Sequence, residues 1–505
     1  MQQIFAWIQK FFSVLEIITT WLWTFPCNIP AYRRIFIIGN LPAIIILLLG
    51  LGLYFTFSLS FVQVRYFKRG ISMLLKTENK KQGSPLSAFF LSCAARIGPG
   101  NIVGVTSAII IGGPGSLFWL WVSGFCGMAT GFVEATLAQL FKYKHNNSFI
   151  GGIPYYGRYL LGNRKRIGVV ISGIYTMYAL VVIPSQLFSV FSATGSIFDL
   201  FSSQPIARLS APFISIGALL FLCCLFLIRH GVASVIKLTN KLVPFLFVIY
   251  TSIALFLILL HYDMIGRFFI QVVVGAFKPK AMFSGGLAVA IEQGIRRGLM
   301  SHEAGQGTIT MPAATASVKH PVFVGFSQSI GVFVTSFLIC TITGLLVVFF
   351  QIDNPKITGE TITIFVQSIQ YLSPRLVSLP FEILMLFCYG MFSFSVLISL
   401  LAFIDIASKQ VSHRVLKYSI KVTTCFICIP LGIISVWMDL GIEKVWFIGD
   451  LANGIMVLIN FPLLVLGFPY VKKALLQYKK QPHLAFYDTH IGASLPSWHK
   501  EEDTN

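Results

Sequence analysis

Charge is what this sequence has least of. Only 11% of its 505 residues are charged and 18 are acidic, against about 25% charged in an ordinary soluble protein. No water-facing surface can be built from such a chain. Also missing are the alternating ten-residue segments of a transmembrane barrel, an H-E-x-x-H zinc motif and a Walker-type phosphate loop. No cleavable signal peptide is evident, because Lys10 and Glu16 interrupt the N-terminal apolar run. Nine cysteines offer one C-x-x-C, Cys425 and Cys428, inside an apolar run with no second ligand pair nearby. They read as small apolar packing residues.

What is present is apolar length. Runs of 18 residues or more, enough to cross roughly 30 Å of hydrocarbon as helix, recur along a chain of mean hydropathy +0.79. Eleven spans are predicted, near 37–61, 86–111, 115–141, 168–194, 210–229, 234–260, 282–306, 321–350, 379–407, 416–438 and 446–470. The fold class expected is an all-α membrane protein. Its organisation is an interfacial N-terminal segment (1–36), a transmembrane domain (37–471) and a short, poorly ordered tail (472–505).

The formal charge of +20 sets orientation rather than marking a nucleic-acid surface. Lys and Arg concentrate in alternate loops, among them 65–81 and 142–166. By the positive-inside rule those loops face the cytoplasm, which puts the N-terminus outside and the C-terminus inside. A multi-pass protein of the cytoplasmic membrane follows, with the lipid bilayer as its surroundings and no nucleic-acid partner.

The informative residues are those a bilayer should exclude. The second span contains Arg96-Ile97-Gly98-Pro99-Gly100-Asn101, in which proline removes a donor and the glycines let the chain open. The seventh carries Gly285 and Gly286, Gly294 and Gly298, then Ser301-His302-Glu303-Ala304-Gly305-Gln306-Gly307-Thr308. Interrupted segments in corresponding halves of a chain point to a secondary-transporter site. The second span enters from inside and the seventh from outside, so spans 2–6 and 7–11 form two inverted five-helix repeats. This ten-helix core is expected to have helices broken at Gly98–Asn101 and within Gly285–Gly298.

Acidic residues in or near spans are costly and functional by default. Glu134, Glu292, Glu303 and Asp405 are of this kind. Glu292 precedes Arg296 by four residues, which suits either an ion pair or proton coupling. His302, beside Glu303, suits a titrating group or a gate contact.

Several segments resemble the alanine or glycine:cation symporter family. They are Gly52–Thr56 with Phe61–Arg65, Gly98–Val105, Gly112–Gly115 with Phe118–Trp121, and Gly127–Thr130 with Glu134–Ala138. Gly151–Tyr156 and Arg297–Gly305 complete the set. The similarity runs from about residue 45 to 350 and is weaker beyond. It implies cotransport of a small neutral amino acid with sodium as the coupling ion, no other cofactor, and no enzymatic activity. Substrate would lie against Gly98, Pro99, Gly100, Asn101, Gln186, Gly285, Gly286 and Ser399. Sodium would take carbonyls near Arg96 and Ile97 and the hydroxyl of Ser395. Glu134, Glu292, His302, Glu303 and Thr308 would be gating or structural polar groups. The sequence departs from the family pattern in having Pro99 for threonine and His302 for asparagine. Phe188 and Val190 stand near a displaced Gln186, and Leu400 replaces a tryptophan. A proton-coupled or facilitative carrier, or a transporter-like channel or sensor, is the alternative.

Overall fold

The computed structural model describes residues 2–35, 38–75, 84–146, 148–201, 211–277, 286–355, 359–411, 426 and 442–499. Most of the expected tenth span (416–438), the Cys425–Cys428 pair and Gly285 lie outside the described residues. The protein is a mostly helical membrane protein. Among the described residues six helices are long and apolar enough to cross a bilayer, or seven when a bent pair counts as one span.

Helix α1 is Gln2–Thr24, followed by α2 (Ala43–Ser58) and α3 (Phe67–Leu75). The bent pair is α4 (Pro85–Arg96) and α5 (Val103–Gly112), which leads to α6 (Ser116–Leu140). A short antiparallel hairpin follows, β1 (Tyr143–His145) on β2 (Ser148–Ile150). This is a small correction to the all-α expectation. After it come α7 (Ile153–Leu160), α8 (Lys165–Asp199), α9 (Ala211–His230), α10 (Val232–Leu260) and α11 (Met264–Phe277). The second half holds α12 (Gly286–His302) and α13 (Thr310–Ala314). Then come α14 (Pro321–Asp353, with a π-helical stretch at Val334–Ile339), α15 (Thr361–Leu372), α16 (Ser378–Ser408) and α17 (Ile442–Lys480).

Breaks in this series are written in glycine and proline. Proline opens α4, α7 and α14 in the first turn, where its missing N–H costs nothing. Helix α6 is central and packs on α12 and α14, while α8 packs along α16 and α17. Small residues allow close approach, the usual device where hydrophobicity cannot drive helices together in lipid. A Cβ on Gly124 of α6 would lie 2.6 Å from Ser336 Cβ of α14.

The first and last described segments are both tied into this frame. On α1, Trp23 Nε1 donates to Asp450 O (3.1 Å) and Thr19 Oγ1 to Phe447 O (3.2 Å), while Ile17 and Trp21 face outward. The residues after α17 were expected to be poorly ordered, and up to 499 they are packed. Phe486 N donates to Lys319 O (2.9 Å), Ser497 Oγ to Lys142 O (2.9 Å) and Trp498 Nε1 to Gln139 O (2.8 Å). Phe486, Ile491, Leu495 and Trp498 are buried. Four apolar anchors outweigh the polar composition that suggested a free tail. Beneath them Lys142 Nζ donates to Gln139 Oε1 (2.7 Å) and Ala316 O (2.9 Å), and burial lowers its ammonium pKa to about 7.

Candidate functional site

The bend between α4 and α5 is 64°. Ile97 N still bonds to Cys93 O (2.7 Å), but Pro99 has no N–H to continue the ladder. Gly98 is extended, and Pro99–Asn101 forms a 3-10 turn with Asn101 N on Gly98 O (3.1 Å) and Ile102 N on Pro99 O (3.2 Å). The carbonyls of Arg96 and Ile97 are thereby left outside the helical ladder. Arg96 is buried, with its guanidinium turned onto Ser92 Oγ (2.5 Å) and onto Gln328, through both the backbone carbonyl (3.2 Å) and the side-chain oxygen. Of this residue, the carbonyl is what remains as a donor atom for a cation.

Among the described residues helix α12 runs unbroken from Gly286 through Gly294 and Gly298 to His302, so no interruption falls within 286–298, and the irregular segment on this side is Glu303–Ile309. Those two glycines serve packing instead: added Cβ atoms would meet Ser116 O at 2.3 Å and Ser123 Oγ at 2.9 Å. Past His302 the chain turns through positive φ at Glu303 (55°), Gly305 (101°) and Gly307 (83°) before α13. For Glu303, a residue with a Cβ, that conformation is strained.

Side chains replace the lost helical bonds across this segment. Glu134 of α6 accepts from Gly305 N (3.0 Å), Gly307 N (2.9 Å) and Asn460 Nδ2 (2.6 Å). Asn460 also reaches Gly305 O (3.0 Å) and accepts from the Tyr156 hydroxyl. His302 Nδ1 accepts from Ala304 N (3.0 Å), which fixes the proton on Nε2, 3.0 Å from Ser123 Oγ. Thr308 Oγ1 donates to Glu303 O (3.4 Å).

The two breaks lie side by side. Ser301 Oγ is 3.4 Å from Gly100 O, and a Cβ on Gly100 would sit 3.2 Å from Met300 Cγ. A small cavity opens there, lined by Arg96, Gly98, Pro99, Gly100, Gln186 and Glu303 on its more polar sides, and by Val396, Leu400 and Trp446. The free volume is about 30 Å³, room for one or two waters. Asn101 is fully buried beside it, and both its side-chain amide atoms lack a partner. Ser395 Oγ lies 3.0 Å from Ala94 O, at the end of α4, and 2.7 Å from Phe392 O of its own helix.

Not every expected residue arrives here. Ser399 bonds Ser395 O (2.8 Å) along α16, and its neighbours Val396 and Leu400 take the cavity wall. Gly286 opens α12, away from the break. Glu292 stands 3.7 Å from Arg296 in the anticipated i,i+4 pair. The shorter contacts of that arginine were missed: Arg296 and Arg297 both bind Asp450 of α17, at 2.6 and 3.2 Å. Their guanidinium groups also lie over the rings of Trp23 and Trp446. One acid in the last apolar span and two arginines in the seventh were the available signal, since intramembrane charges seek one another.

Over 443 residues the chain is 32% identical to the amino-acid carrier protein AlsT of Bacillus subtilis, covering 86% of this chain and 89% of that protein. It is equally similar, 32% over 448 residues, to the probable sodium/glutamine symporter GlnT of the same organism, covering 87% and 88%. The sodium/alanine symporter AgcS of Methanococcus maripaludis is 31% identical over 317 residues, 60% of this chain and 67% of that protein. The sequence pattern of the sodium:alanine symporter family matches residues 32–489, which includes the stretch after about residue 350. The chain therefore belongs to the sodium:alanine symporter family, a family of sodium-coupled amino-acid transporters and not of enzymes.

Proposed function

We propose that the protein carries a small neutral amino acid of the alanine or glycine class into the cell together with sodium, by alternating access. The observation that carries this reading is the meeting of the two helix breaks, at 97–102 and 303–309, around one buried cavity. Freed N–H groups and the unpartnered amide of Asn101 suit a carboxylate, and the carbonyls of Arg96 and Ile97 suit a hard cation. Ser395 closes the cation cage from α16. Size favours the smallest substrates: a Cβ on Gly98 would lie 2.6 Å from Val396, and Met300 crowds Gly100. These walls leave less room for a glutamine than for an alanine, the substrates named for GlnT and AgcS respectively. In this reading the core is two inverted five-helix repeats, with the N-terminus outside and the C-terminus in the cytoplasm.

A proton-coupled carrier is the second reading, favoured by the carboxyl-bearing Glu303 in the cavity wall. One experiment separates the two. Purified protein in proteoliposomes is offered a panel of amino acids with sodium and proton gradients imposed separately. Accumulation of alanine or glycine driven by sodium alone supports the proposal. Accumulation driven by protons and indifferent to sodium replaces it with the second reading. No accumulation under either gradient refutes active transport of these solutes.

A further inference from the structure

A second cavity, of about 250 Å³, lies away from the helix breaks. It approaches the roughly 300–1,000 Å³ typical of small-molecule sites, and its walls are unusually basic. Lys144 and His145 come from β1, Arg158 from α7, Lys165 from the first turn of α8, and Lys409 from the end of α16. The neighbouring Asp405 Oδ2 stands 3.7 Å from Lys409 Nζ. Loop orientation explains why basic residues gather on this side. It does not explain why they enclose a cavity, nor two further features. Gln410 lines the same space, is 5% exposed, and its side-chain Nε2 has no partner. Arg158 Nε is also buried and unpartnered. An orphaned buried amide is costly, and the N-terminal N–H groups of a 35-residue helix add their own positive end.

We propose that this cavity binds a phosphate group, held by Arg158, Lys165, Lys409 and the Gln410 amide. Arg158 offers the planar fork that fits phosphate oxygens in pairs, and the lysines act as point charges. A bound phosphate would join the hairpin after α6 to the start of α8 and the end of α16, and so brace the packing of α8 on α16. The phosphate belongs either to an anionic lipid headgroup, which basic pockets between membrane helices are suited to take, or to a soluble anion.

The test uses the full-length protein purified in neutral detergent. Its unfolding midpoint, read by tryptophan fluorescence, is followed while inorganic phosphate, phosphatidylglycerol or phosphatidylcholine is titrated in. A saturable rise is expected with phosphatidylglycerol and none with phosphatidylcholine. A matching rise with inorganic phosphate identifies a soluble anion, and its absence identifies a lipid headgroup. Arg158→Gln and Lys165→Gln should each weaken the response roughly fivefold, the effect of about one charge at such a site. Arg267→Gln should leave it unchanged, because that arginine is exposed, pairs with Asp263 and belongs to α11. Lys165 is exposed, so its variant decides the matter if Arg158→Gln fails to fold. No saturable response, or responses in both cavity variants equal to that of the unmodified protein, overturns the proposal.

Discussion

Asp450→Asn should be among the most damaging single substitutions in the protein, although it changes two atoms' chemistry and almost no volume. The carboxylate is 2% exposed and takes Arg296 Nη2 at 2.6 Å and Arg297 Nη1 at 3.2 and 3.3 Å. With Glu292 3.7 Å from Arg296, the cluster holds two positive and two negative charges. Asparagine leaves an excess buried cation. Removing one partner of a buried pair typically costs about 3–5 kcal/mol. The two tryptophan faces and Glu292 soften the loss, so a value near the lower end, about 3 kcal/mol, is expected. Thermal unfolding of the purified variant should begin several degrees earlier. Sodium-dependent uptake should fall with it, because Trp446, Gly449 and Asn453 on adjoining turns line the cavity. The second substitution Arg297→Gln removes the excess charge and should recover part of the loss, giving a favourable coupling of more than about 1 kcal/mol. An Asp450→Asn protein as stable as the original, or a double variant whose losses simply add, would refute the charge-balance reasoning.

Three further outcomes are expected. Pro99→Thr restores a hydroxyl and a backbone N–H at the cavity wall, and should tighten alanine or glycine binding roughly ten- to a hundredfold; unchanged or weaker binding by calorimetry counts against a carboxylate there. Ser395→Ala should raise the sodium concentration for half-maximal uptake while substrate affinity at saturating sodium changes less; an unshifted sodium dependence removes Ser395 from the cation site. His320, packed against Phe323, Tyr478 and Phe486, has its imidazole pKa lowered to about 4 by burial. Between pH 6.5 and 4 the unfolded chain therefore takes a proton that the folded one refuses, so stability falls with acid by up to roughly 3 kcal/mol. His320→Gln should flatten that part of the unfolding-temperature profile, and an unaltered slope would show that other groups set it.

Legibility in the sequence followed how local each cause was. Gly98-Pro99-Gly100 breaks its own helix, because a missing N–H acts on the residues beside it, and the bend lies there. Gly294 and Gly298 looked like the same signal and were not, since their role is set by Ser116 and Ser123 on another helix. The irregular segment at 303–309 is held by Glu134 and Asn460, 171 and 155 residues from Gly305, and no local pattern reports such a partner. Asp450 escaped notice for the same reason. The residues after 480 misled through composition: a polar stretch reads as solvated unless its few aromatic anchors are weighed against a surface that the sequence does not display.

The packed residues beyond α17 also bear on how the protein is made. Trp498 bonds a carbonyl 359 positions earlier, at Gln139. At translation rates of about 5–20 residues per second, that carbonyl waits roughly 20–70 s for its partner. Helix α6 is inserted and surrounded long before the indole arrives, so this contact closes an assembly rather than guiding it. A fusion joined just after Trp498 would burden the final fastening step and leave the earlier insertion of the helices untouched.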